Sequence, residues 1–126
     1  MIKLNYAHLC DYAFLSQDGK VNVIGIFGAI SGKQFPLTHP RFSFVANLKV
    51  GTRGMYDGVV AILDQGGKPA VPELNFKLET KEDNQSPNLI LNFENVSFQK
   101  PGRYSIRIKV GKDEIANMPI ELIQAN

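Results

Sequence analysis

Nucleophilic or soft-metal chemistry in this chain would have to be built around three side chains, because Cys10 is its only cysteine and His8 and His39 are its only histidines. On an extended strand residues two apart share a face, so His8 and Cys10 could address one ion, with Asp11 or His39 completing the shell. There is no CxxC pair and no second thiol. The same pattern describes a small buried thiol beside an edge histidine, and that plainer reading is the expectation. No metal ligand and no catalytic residue is therefore assigned. The second cluster is His39-Pro40-Arg41, which follows Phe35-Pro36-Leu37-Thr38. Each proline holds the residue before it extended. A stiff loop presenting His39 and Arg41 could bind an anion or carboxylate, the guanidinium by a two-pronged grip. The simpler expectation is a crossover between sheets in which Phe35 and Leu37 cap a core and Arg41 pairs with Asp11 or Asp18. Cys10, Asp11, His39 and Arg41 together form the candidate ligand-binding set.

Other motifs fail on their own chemistry. Gly66-Gly67-Lys68 runs into Pro69, where a phosphate loop needs a hydroxyl and a helix, and Gly25, Gly28 and Gly32 miss the dinucleotide spacing. No nucleotide or other cofactor is expected. Lys100, Arg103, Arg107 and Lys109 make a basic row, but single-strand binders interleave such charges with stacking aromatics. Here Ser105 fills the row and Tyr104 alternates inward, so a solvated face paired with Glu73 and Glu79 is expected. Glu82-Asp83-Asn84 lacks the alternating donors and glycine of a calcium loop. The two Asn-x-Ser matches, at Asn84 and Asn95, are idle in a cytoplasmic chain.

These residues need a scaffold, and composition says which kind. The chain has 126 residues, enough for one domain, 1–126, that buries its own core. Thirty-two residues are Val, Ile, Phe or Tyr against eight alanines, and side chains crowded near the backbone fit a pleated surface better than a helix. Eleven glycines and seven prolines supply turns. A net charge of +2 is too small to point to nucleic acid or an anionic membrane. A single thiol and the polar residues Lys3, Asn5, His8 and Asp11 near the start fit a cytoplasmic protein without an export signal or membrane span.

Apolar residues alternate with polar ones and nowhere follow a helical period. Phe42, Phe44, Ala46, Leu48 and Val50 should face one way, as should Leu74, Phe76 and Leu78, and Tyr104, Ile106, Ile108 and Val110. Asp18-Gly19 should turn Cys10–Ser16 into Val21–Ile30. That second strand is apolar on both faces and is expected at the centre of its sheet, with Gly25 or Gly28 at a bulge or close approach. Ile2–Leu9, Val59–Leu63, Leu89–Phe93 and Ala116–Ile123 complete the set, the last demoted to an edge by Pro119. Residues Lys81 to Asn88 should be the most mobile. About eight strands in two stacked antiparallel sheets follow: an all-β sandwich with immunoglobulin-like or jelly-roll-like connections.

Cys10-Asp11-Tyr12-Ala13, Asp18-Gly19-Lys20-Val21-Asn22, Ile24-Gly25-Ile26-Phe27, His39-Pro40-Arg41-Phe42 and Pro101-Gly102-Arg103-Tyr104 together resemble a small bacterial family of unknown function. The likeness spans nearly the whole chain and implies a cytoplasmic β-sandwich, with no activity, ligand or catalytic residue attached. With no acid, base and nucleophile set in view, the expectation is a non-catalytic interaction or assembly module. It would cover its exposed strand edges by self-association or with another protein, and would not engage nucleic acid or membrane. The alternative is a small-ligand or carbohydrate-binding sandwich that uses the segments around Cys10, Asp11, His39 and Arg41.

Overall fold

The computed structural model describes residues 2–126. Nine strands follow one another: β1 (Ile2–Leu15), β2 (Val21–Phe27), β3 (Ala29–Gly32), β4 (Leu37–Val50), β5 (Gly54–Leu63), β6 (Leu74–Thr80), β7 (Asn88–Phe98), β8 (Gly102–Val110) and β9 (Asp113–Gln124). They form a four-stranded sheet in the order β2-β1-β4-β7 and a five-stranded sheet in the order β3-β9-β8-β5-β6. The all-β reading of the sequence therefore holds, in two sheets. The pairings are antiparallel except one, since β3 runs parallel to β9. That departs from the expected purely antiparallel architecture.

One apolar core is shared by both sheets. From the first come Leu9, Phe42, Phe44, Leu48 and Phe98, and from the second Ile62, Tyr104, Ile106, Ile108 and Ile120, each with little or no exposed surface. Period two makes this inevitable once the alternation of β4 and β8 is given, and each large side chain so buried contributes about 1.5–3 kcal/mol.

Three expectations about the strands are corrected, each for a local reason. The apolar stretch Val21–Ile30 is two strands, and both lie at sheet edges. It crosses from one sheet to the other at Gly28, whose carbonyl accepts a bond from the Glu121 amide, so its apolar residues serve two different faces. Conversely, β9 is interior, with β3 on one side and β8 on the other. Pro119 is tolerated because β3 pairs with β9 only from Glu121 onward, so nothing waits there for the missing N–H. Finally, His39 and Arg41 sit within β4 and pair in register with Val96 and Glu94 of β7. The rigid display loop shrinks to residues 33–36, which connect the sheets, while Phe35 and Leu37 pack against the core as expected.

Charges on the five-stranded sheet are also redistributed. Arg107 pairs with Glu114 at 2.6 Å and Arg103 with Glu121 at 3.7 Å. The expected partners Glu73 and Glu79 belong with β6, which β5 separates from β8. The polar stretch 81–88 is tied down rather than loose: Gln85 exchanges backbone bonds with Val50, and its side chain accepts from the Lys81 amide.

Candidate functional site

The four candidate residues do not converge on one site: Asp11 and His39 share a cleft, Cys10 is buried in a separate cluster and Arg41 lies against Tyr12. Leu9 points into the core, so alternation places Asp11 on that same side of β1 and Cys10 on the other. On β4 a break in the inward–outward alternation does the sorting, while the pairing register with β7 is unchanged. Phe42 and Phe93 pair inward, and so do Leu37 and Phe98, which strict alternation over an odd number of residues forbids. The switch occurs at Asn95, which has φ 51° and lies across from Pro40. The left-handed turn brings buried Val96, and His39 paired with it, to the core side.

Asp11 and His39 consequently line one cleft, of about 340 Å³, together with Gly25, Ile26, Phe27, Ala29, Ile30 and Ser31. It opens where the chain leaves β2 for β3, between the edges of the two sheets. Gly25 has φ 72° and a Cβ there would overlap the Asp11 carboxylate, so both backbone and space require glycine. This is the close approach expected at Gly25. The His39 ring lies 6.2 Å from that of Phe27 and 5.8 Å from that of Phe42. Among the described residues neither Asp11 nor His39 has a hydrogen-bond or ion-pair partner.

Cys10 and Arg41 do not line that cleft. Cys10 is fully buried, with Ala13 and Val45 as cluster mates and Val21, Val23 and Ile90 around them. Its thiol donates weakly to the Ser43 carbonyl at 3.7 Å. Burial, and secondarily the Asp11 charge, push its pKa up, which keeps the thiol protonated and opposes nucleophilic use. Among the described residues no three His, Cys, Asp or Glu side chains converge as a metal would require. Arg41 pairs with neither Asp11 nor Asp18. Its guanidinium lies 4.8 Å above the Tyr12 ring, a cation–π contact.

Around Arg41 the sequence reading missed a surface. Six of the nine large apolar side chains left exposed fall on β1 and β2: Tyr6, Tyr12, Phe14, Leu15, Ile24 and Ile26. Cross-strand pairing puts Ile26 beside Cys10, Ile24 beside Tyr12, and Phe14 beside Asn22. Tyr6 follows an irregularity after Leu4, opposite Asn47 and 5.7 Å from His8. Tyr6, Tyr12, Phe14, Ile24 and Ile26 are 40–60 % exposed, and so many large apolar side chains exposed on two neighbouring strands are unusual on an isolated soluble domain. The signal was present in the alternation of Tyr12, Phe14, Ile24 and Ile26. It is hidden in sequence because a strand apolar on both faces reads as a central one.

Residues 5–123 match a family of unknown function, DUF6941. The chain belongs to that family. Of the curated proteins compared, none matches this DUF6941 chain. Among solved structures it is similar to an alkylpurine DNA glycosylase of Pseudomonas fluorescens, solved bound to DNA containing an abasic site analog. The TM-score is 0.59 at 12% identity, over 97% of this chain and 30% of that one. The likeness is one of fold, and this chain spans under a third of that protein. No helix among the described residues is long and apolar enough to cross a membrane.

Proposed function

We propose that this chain is a non-catalytic assembly module, a β-sandwich of the reducing cytoplasm, that pairs with a second copy of itself through the apolar surface that β1 and β2 expose. The observation that carries this reading is the concentration of exposed large apolar side chains on those two strands. A second copy is the occupant because that surface suits itself electrostatically. Its neighbours Arg41 and Glu94 carry one charge of each sign, so a twofold axis can set the arginine of one copy against the glutamate of the other. The flanking edge strand β2 carries no charged residue, whereas β6 carries Lys77 and Glu79, which blunt that edge. A thiol enzyme is not supported, because Cys10 is buried and held protonated. Nor is a nucleic-acid surface, because Arg103 and Arg107 face glutamates.

Sedimentation tests the proposal. The wild-type chain is expected to form a dimer whose population rises with concentration, and Ile24→Glu to stay monomeric with an unchanged β-type circular dichroism spectrum. A wild-type chain that remains a monomer at high concentration, or a variant that dimerises equally well, would overturn it.

A further inference from the structure

We propose that the cleft between Asp11 and His39 binds a small organic cation: an ammonium or guanidinium head carried on a short apolar stem. Four features of the cleft select that chemistry. Its volume, about 340 Å³, lies at the small end of the range for small-molecule sites. Asp11 is the only formally charged residue lining it, with no lysine or arginine to favour an anion. Phe27 and Ile30 supply apolar wall, and the His39 and Phe27 rings sit side by side, an arrangement that accepts an apolar stem and favours a cation near ring faces. The Ser31 hydroxyl stands on the β3 side as a further acceptor for an N–H.

The way Asp11 is held supports a site rather than a stray surface charge. Its carboxylate rests on the one position of β2 that is a left-handed glycine, so the strand opposite gives up a side chain where the carboxylate lies. Among the described residues it has no internal cation, and Arg41, the partner expected from the sequence, is engaged with Tyr12. An ammonium group would supply the missing partner. The cleft is tested by ligand binding and the self-association surface by mass, so either can fail without the other.

The test is an amide-resolved NMR titration of the full wild-type chain, run at a concentration where sedimentation shows a single species throughout the titration. The probes are phenethylamine, its uncharged counterpart 2-phenylethanol, and Nα-acetyl-lysine amide. Saturable shifts at Asp11, Gly25, Ser31 and His39 with phenethylamine are expected, with 2-phenylethanol at least about tenfold weaker, the loss of one charge-assisted contact. Asp11→Asn, which keeps the shape, should weaken the amine about as much, and Ser31→Ala less. Tighter binding of the lysine derivative than of phenethylamine would identify the source as a protein side chain, and the reverse a free amine; both support the shared chemistry. Equal binding of amine and alcohol, an undiminished response in Asp11→Asn, or shifts confined to other residues would overturn the proposal.

Discussion

At Cys10 the sulfur has no exposed surface and one weak acceptor, the Ser43 carbonyl, so ionising it would put charge beside Asp11 without a compensating donor. The folded chain therefore holds this proton to higher pH than the unfolded chain does. Above the normal thiol range the unfolded state binds fewer protons than the folded one, and stability must fall as pH rises there. Chemical denaturation between pH 8 and 10 should show this decline, and Cys10→Ala should reduce its slope; thiol labelling should require denaturant at neutral pH. Asn95 makes a backbone argument in the same spirit. Its φ of 51° suits asparagine or glycine and is hostile to β-branched side chains. Asn95→Val is expected to lose about 1–2 kcal/mol in urea unfolding, while Asn95→Gly stays close to wild type. Only the valine should also disturb the His39 resonance, since this residue sets which face His39 takes.

Among the elements, the β5–β6 pair shows how a strand can depend on the absence of a side chain. Gly58 sits opposite Phe76, and a Cβ there would run into the phenyl ring. The Gly58 backbone is not left-handed, so any penalty for Gly58→Ala is one of packing rather than conformation. We expect a loss of about 1–3 kcal/mol, relieved in the double variant Gly58→Ala/Phe76→Leu, measured as a double-mutant cycle. Strand positions were largely legible in the sequence wherever alternation was clean: the inward sets of β4 and β8 are those that the pattern of Phe42 to Val50 and Tyr104 to Val110 requires. Strand ends were not. The β7 pattern stops at Phe93 because Asn95 breaks its parity, and the strand nonetheless continues to Phe98, since backbone pairing with β4 survives a flip that side-chain order does not.

For the whole molecule, self-association through the exposed apolar side chains of β1 and β2 predicts that the thermal midpoint rises with protein concentration, because only folded chains dimerise. Scanning calorimetry over a hundredfold concentration range should show the rise in the wild type and none in Ile24→Glu. The sequence by itself determined that the chain is a two-sheet β protein and which residues fill its middle, and it narrowed a bulge or close approach to Gly25 or Gly28. Those are properties of period, volume and backbone freedom, all carried by near neighbours. Which candidates share a site was decided only when distant strands met. Cys10 and Asp11 are adjacent in sequence yet face opposite ways. Asp11 and His39 come together because Gly28 moves the chain between sheets and Asn95, on a strand that pairs with β4 only in the fold, turns His39 inward. No local pattern encodes a partner strand's dihedral angle, and so the cleft and the exposed face became visible only in three dimensions.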